Sequence, residues 1–391
     1  MSTASVLTGY PRANGRWGFR NYILLLPLHN ALNQIVDKVR NNHPAGPIIT
    51  SVSHDWSGEV DKDWGRISKV FSGFAVNPNV AATIFIGIGS ASEEQIVSAA
   101  RLRREMPIHY ITLQQRGSFT ALQEEVSNSI TEIFPTVANM KREPAPWSAL
   151  VLGLECGGSD AYSGITANPA LGVASDKFVG LGATSILAET MEILGAEHLL
   201  AARAITPEVG RAIVDVVARY ERSITYEGID IRGAQPSRGN IEGGLTTLEE
   251  KSLGAAKKAG NAPFTGVLDY ADVPSTAGLY FMDTPGHDIE QLTGFAAADV
   301  NITVFTTGRG TPTGSAVIPT IKVATNTEMA VALPDLIDLN AGTIADGTET
   351  LSEVGERIFQ EIIDVANGKL TAAERGGHRE FNLSRLYGST Q

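Results

Sequence analysis

The sequence predicts an α/β protein of two domains, each with a mostly parallel sheet flanked by helices. Three observations carry this. Short apolar runs rich in β-branched residues alternate with helix-like segments along the chain, the pattern of parallel strands covered on both faces. The chain has 391 residues, more than one hydrophobic core usually serves. A charged, proline-bearing stretch, Lys141-Arg142-Glu143-Pro144-Ala145-Pro146, separates two such alternations and reads as a linker. The domains are therefore placed at residues 1–142 and 147–391.

In the first domain, strands are predicted at 22–28, 47–52, 82–88 and 108–113, and helices at 31–40, 93–104 and 119–134. In the second, strands are predicted at 148–154, 185–187, 265–269, 278–282, 301–306 and 320–324. A helix over 207–222 opens with Thr206 as N-cap and Pro207 at its first position, where a missing N–H costs nothing. Another helix, 351–366, follows Thr350.

Composition excludes several function classes. A net charge of −12 argues against nucleic acid as a main partner. An anionic substrate would still need a local basic cluster. Cys156 is the single cysteine, so no internal disulfide can form, and the cytoplasm is the default compartment. Residues 1–10 lack the charged-then-apolar pattern of a signal peptide. No apolar run approaches a transmembrane length, so no membrane partner is expected. A nucleotide cofactor is not expected either: Pro27-Leu28-His29-Asn30 stands after the first strand, where a dinucleotide site carries Gly-x-Gly-x-x-Gly.

Parallel sheets bind ligands outside the carboxyl ends of their strands, which directs attention to four motifs and one histidine. Leu154-Glu155-Cys156-Gly157-Gly158-Ser159-Asp160 leaves a buried strand into a glycine turn whose N–H groups can hold a carboxylate; Ser163 and Asn168 follow. It could equally be a tight turn with Asp160 as a cap. The stretch from Arg238 to Gly254 contains Asn240, Thr246, Thr247, Glu250 and Lys251. A desolvated Lys251 beside carboxylates can act as base or anion anchor; a plain capping box is the alternative. In Thr307-Gly308-Arg309-Gly310, a glycine-flanked Arg309 suits a carboxylate clamp, and Lys322 and Asn326 follow the next strand. Met282-Asp283-Thr284-Pro285-Gly286-His287-Asp288 offers a histidine and two acids, or only a turn. His54, next to Asp55 at a strand end, suits a base or a metal ligand.

Together these motifs resemble the altronate/galactarate dehydratase family, which also holds the large subunit of sulfolactate sulfo-lyase. The resemblance starts at Gly9-Tyr10-Pro11-Arg12 and Gly18-Phe19-Arg20-Asn21. It continues through Cys156-Gly157-Gly158-Ser159-Asp160, Ser163-Gly164-Ile165-Thr166-Ala167-Asn168-Pro169, and Glu189-Thr190-Met191-Glu192. It closes with Gly239-Asn240 to Leu253-Gly254, Phe305-Thr306-Thr307-Gly308-Arg309-Gly310 and Lys322-Val323-Ala324-Thr325-Asn326.

The resemblance implies a lyase that removes water from a small hydroxy acid or sugar acid to give a 2-keto acid, with a divalent metal such as Fe²⁺, Mn²⁺ or Mg²⁺. It also implies an oligomer and, since the chain starts at the Gly-Tyr-Pro-Arg motif, a separate small subunit. In this reading Arg309 and Lys322 hold the substrate carboxylate, and Lys251, Glu250, His54 or His287 supply acid and base. Cys156, Gly157, Gly158, Ser159, Asp160, Ser163, Asn168, Asn240, Thr246, Thr247 and Asn326 line the substrate. His54, Glu155, Cys156, Glu189 and Glu192 are the metal-ligand candidates. The chain departs from the family where cysteines are expected: Asn30, Gly58 and Ser90-Ala91 stand there instead. An iron–sulfur cluster is therefore not expected. Two alternatives are release of sulfite from a sulfonated hydroxy acid and a non-catalytic, sugar-acid-binding or regulatory subunit.

Overall fold

The computed structural model describes residues 6–44, 48–58, 60, 62–225 and 235–384. Pro47 of the second predicted strand, and both outer ends of the predicted domains, lie outside these residues.

The first domain holds β1 (Leu7–Pro11), β2 (Trp17–Gly18), β3 (Tyr22–Pro27), β4 (Ile49–Ser51), β5 (Val80–Gly87) and β6 (Ile108–Thr112). The last four form a parallel sheet in the order β4-β3-β5-β6. Every residue of β5 is buried, as a strand covered on both faces must be. Alternation then sorts the side chains of β3. Ile23 and Leu25 meet Ile35 and Val36 of the helix Asn33–Asn42 and Val126 and Ile130 of the helix Phe119–Asn139. Leu24 and Leu26 face Phe71 and Phe74 of the helix Trp64–Ala75 and Ile96 of the helix Ala91–Arg103.

The predicted linker is itself a strand. β7 (Glu143–Ala145) pairs antiparallel with β1, which also pairs with β2. Pro144 in its middle and Pro146 just after it hid it, since proline marks edge strands and breaks alike.

The second domain contains β8 (Val151–Gly157), β9 (Thr184–Leu187), β10 (Phe264–Leu268), β11 (Gly278–Met282), β12 (Ile302–Thr307), β13 (Thr320–Ala324) and β14 (Leu339–Asn340). They form one parallel sheet in the order β10-β11-β9-β8-β12-β13-β14. β8 begins three residues later than predicted, because Trp147–Ala149 forms a 3₁₀ turn. Asn301 fixes the start: its side chain accepts from the Val151 N–H at 3.0 Å and donates to the Ala149 carbonyl at 2.7 Å. From β8 the chain proceeds to β9 on one side, and from β12 to β13 on the other. This is a topological switch point, with its crevice beyond Gly157 and Thr307.

Buried amides and one guanidinium join the domains. Asn79 accepts from the N–H groups of Phe19 and Arg20 and donates to the carbonyls of Asn301 and Val317. Asn77 donates to the carbonyls of Ala296 and Val300. Arg20 reaches the last two helices among the described residues, donating to Glu374 at 2.6 and 2.9 Å and to the carbonyls of Val365 and Lys369. Among the described residues, no helix is long and apolar enough to cross a membrane.

Candidate active site

At the crevice, a group of acids and lysines gathers, most of them buried. Glu155 and Cys156 end β8. Glu189 and Glu192 follow β9, and Asp288 opens the helix after β11. The helix Leu248–Ala256 and the 3₁₀ turn Lys257–Ala259 bring Lys251 and Lys258 against them. Lys258 is fully buried, with Nζ at 2.9 Å from Cys156 Sγ, 3.5 Å from Glu192 and 3.6 Å from Glu189. Lys251 Nζ lies 3.2 Å from the other oxygen of Glu192 and donates to Gln235 at 2.8 Å.

The surroundings divide these groups by charge. Burial works against a charged Glu192, but Lys251 and Lys258 outweigh it and hold the carboxyl well below its usual range. Burial also opposes the two ammonium charges; the neighbouring carboxylates and Cys156 prevail and raise both lysines. Glu155 and Glu189 go the other way. Burial, then the negative neighbours Asp288 for the first and Glu155 for the second, push both well above the usual carboxyl range. Burial pushes the Cys156 thiol up to about 12, so it stands as a thiol that donates to Glu192 at 3.2 Å.

Local backbone features make this convergence possible. Glu189 adopts φ 68°, rare for a residue with a side chain, and Thr284 Oγ1 accepts its N–H at 2.8 Å. Gly157 has no room for a side chain: a Cβ there would stand 2.4 Å from Asp288 Oδ2 and 2.7 Å from Phe305.

The predicted residues separate into three groups. Ser159, Asp160, Ser163, Asn168, Glu250 and Lys251 meet around one cavity of about 210 Å³. Within it Asp160 is a tie: its carboxylate accepts from Ser163, Thr325 and Asn326 at 2.9, 2.9 and 3.0 Å. Asn168 accepts from Thr306 and donates to the Gly254 carbonyl. Asn240 donates to the Ser159 carbonyl. Thr246, Thr247 and Glu250 form the cap of the helix Leu248–Ala256, with Thr246 N–H and Oγ1 both donating to Glu250. Gly158 adopts φ 59°, and its carbonyl accepts from the Gly308 N–H.

A second group stands apart from the cavity. Arg309 is half-exposed and donates to the Gly239 carbonyl at 2.7 Å and to Glu242 at 3.1 Å. His54 has Nε2 at 2.8 Å from the Pro27 carbonyl, while Nδ1 accepts from the Trp56 N–H; its ring packs edge-on against Phe71. His287 is exposed at the start of the helix after β11, beside Asp288. Lys322 forms the third group alone. It is fully buried on β13 with no hydrogen-bond partner for Nζ among the described residues. It sits 3.3 Å from the centre of the Phe305 ring, and burial lowers its ammonium to about 7.

Sequence reasoning missed Lys258 and gave Asp288 no role in the site. Lys258 lies seven residues beyond Lys251, in the 3₁₀ turn that follows the helix of Lys251. Oxygen and sulfur atoms of Cys156, Glu189 and Glu192 lie within 4.8 Å of one another, as do those of Glu155, Glu189 and Asp288. These residues could hold a metal ion. A larger cleft, of about 740 Å³, opens between the domains at the ends of β10 and β11, lined by Arg66, Arg219, Asp283, Thr284 and Glu290.

Two family models match the chain: "D-galactarate dehydratase/Altronate hydrolase, second domain" over residues 9–138 and "D-galactarate/Altronate dehydratase, C-terminal" over 147–389. Subunit beta of (2R)-sulfolactate sulfo-lyase from Chromohalobacter salexigens is 34% identical over 391 residues, covering 97% of each chain. Altronate dehydratase from Bacillus subtilis is 35% identical, covering 96% of this chain and 76% of its own. Galactarate dehydratase (L-threo-forming) from Escherichia coli is 38% identical, covering 75% of this chain and 58% of its own.

Proposed function

This chain belongs to the D-galactarate/altronate dehydratase family, and we propose that it is a cytoplasmic hydro-lyase acting on a small sugar acid. The domain boundary is placed between residues 142 and 147. The reaction removes the proton α to the carboxylate and the hydroxyl on the β-carbon as water; the enol left behind becomes a 2-keto acid. The observation that carries this reading is Lys251, which belongs both to the buried acid–lysine group and to the wall of the 210 Å³ cavity.

Elimination needs positive charge where the enediolate forms. The Lys251 ammonium, kept charged by Glu192 and Glu189, is aimed to neutralise the substrate carboxylate and that growing charge. Lys258 balances Glu192 from behind and keeps it ionised, which fixes Lys251 in place. The turn at Ser159–Ser163 and the Asn168 side chain, tied to β12 and β13, form a preorganised wall for the polar substrate. A bound divalent cation would supply Lewis-acid polarisation of the substrate's oxygens. Glu155, Glu189 and Asp288 fit that need: both oxygens of Glu155 and one of Glu189 are buried without hydrogen-bond partners among the described residues.

The test is a screen of altronate, galactarate and related sugar acids for 2-keto acid formation, with Fe²⁺, Mn²⁺, Mg²⁺ or chelator. Keto acid from at least one substrate, lost in Lys251→Ala, is expected; no turnover under any condition overturns the reading. One observation favours a second reading, sulfite release from sulfolactate together with a small subunit. The alignment with the sulfo-lyase subunit covers 97% of both chains. Sulfite detection in the same screen separates the two.

A further inference from the structure

The two clusters of candidate ligands share Glu189 but differ in what already stands among them. Around Cys156, Glu189 and Glu192, a cation is built in. Lys258 Nζ is 2.9, 3.6 and 3.5 Å from their ligand atoms, so its ammonium occupies the place where an ion would sit. Glu155 and Asp288 form no ion pair among the described residues; Lys258 and Lys322 act on Glu155, and Lys322 on Asp288, only at longer range. Lys322 is the other buried lysine nearby, and it forms no ion pair among the described residues; its Nζ lies over the Phe305 ring. Glu155 is 0% exposed, and neither of its oxygens has a hydrogen-bond partner among the described residues. The Glu189 oxygen that comes within 3.6 Å of Lys258 also lacks a hydrogen bond.

Buried carboxylate oxygens are almost always paired with donors or coordinated to ions. The two Glu155 oxygens, beside a Glu189 oxygen whose near neighbour is only the Lys258 ammonium, are therefore unmet coordination. Two costly local features serve that convergence. Glu189 takes a left-handed backbone to present its side chain. Gly157 gives up a side chain so that Asp288 can lean over the end of β8.

We infer that Glu155, Glu189 and Asp288 bind one hard divalent cation of the Mg²⁺ or Mn²⁺ class, while Lys258 permanently fills the neighbouring Cys156–Glu189–Glu192 place. Carboxylate oxygens select such ions over thiol-seeking metals. Cys156 is then no ligand, and the chain takes one ion where the ligand count alone suggests two. The inference deepens the dehydratase reading but is tested by binding alone, so it stands or fails separately from turnover.

The test uses the full chain, stripped with EDTA and titrated with Mn²⁺, free ion being counted by electron paramagnetic resonance. One Mn²⁺ per chain is expected. Glu155→Gln and Asp288→Asn should each weaken binding at least about tenfold, a ligand-loss effect, with circular dichroism checking the fold. Asp288 is only partly buried, so Asp288→Asn carries the test if Glu155→Gln does not fold. Cys156→Ser should bind Mn²⁺ as the parent does. Absence of Mn²⁺ binding, two ions per chain, or loss of binding in Cys156→Ser would each overturn the inference.

Discussion

Replacing Arg20 by alanine tests how the two domains are held together. The guanidinium and its partner Glu374 are both nearly buried, at 8% and 11% side-chain exposure. Arg20 donates to both oxygens of Glu374 and to the carbonyls of Phe19, Val365 and Lys369. Removing one member of a buried ion pair costs about 3–5 kcal/mol, most of it from the charge left behind. Glu374 would keep the Tyr22 hydroxyl at 2.8 Å and the Thr371 N–H at 2.9 Å, so the lower end, about 3 kcal/mol, is expected. Urea unfolding followed by tryptophan fluorescence measures it, since Trp17, Trp56 and Trp64 report from the first half and Trp147 from the start of the second.

The pH dependence gives a second check. Burial works against the Glu374 charge, but Arg20 prevails and holds the carboxyl below the usual carboxylate range. A depressed folded-state carboxyl stabilises above the unfolded value, and that contribution fades as pH falls through the folded value. The difference between parent and Arg20→Ala should thus be full at about pH 7 and shrink below about pH 4.5. In a cycle with Glu374→Gln the two costs should be less than additive. A cost below about 1 kcal/mol at neutral pH, as for an exposed pair, or no coupling in the cycle, would refute this account of the clamp.

Other substitutions address the site and the join. Lys251→Ala should lower turnover at least about a hundredfold, as loss of one preorganised charge does, while far-ultraviolet circular dichroism stays unchanged. Gly157→Ala places a methyl 2.4 Å from Asp288 Oδ2 and should abolish turnover and lower the urea midpoint; a fully active protein would show that Asp288 does not need its observed position. Asn79→Ala strips four buried backbone groups of their partner and should cost at least about 2 kcal/mol in urea unfolding.

Legibility in the sequence tracked local chemistry. The strands Gly278–Met282 and Thr320–Ala324 and the helix Leu351–Ala366 were readable to the residue. The first strand is the apolar run Leu279–Met282, the second is β-branched with one lysine, and Thr350 with Glu353 formed a full capping box at the helix. The helix Ala167–Gly180 was not predicted; Pro169 sits in its first turn, where proline is tolerated, and Gly172 lies against the Lys257 carbonyl, where no Cβ fits. In the site, the glycine turn after β8 marked the right strand end. Lys258 could not stand out: Lys257-Lys258 reads as a solvated pair, and only the approach of Cys156 and Glu192 across the fold explains a fully buried ammonium. The role of Thr246, Thr247 and Glu250 as a helix cap was written in their spacing alongside the catalytic reading.

The small sheet of β1, β2 and β7 bears on how the chain is made. During synthesis the N-terminal residues emerge first, and domains tend to fold in that order. The sheet of β3 to β6 is complete once Thr112 has left the ribosome, but β1 finds β7 only after Ala145 has followed. Asn367, which binds Val6 and Thr8, and Glu374, which binds Arg20, are made much later than β7. The leading strand and the Arg20 clamp can therefore close only after their distant partners, made much later than the first sheet, are present.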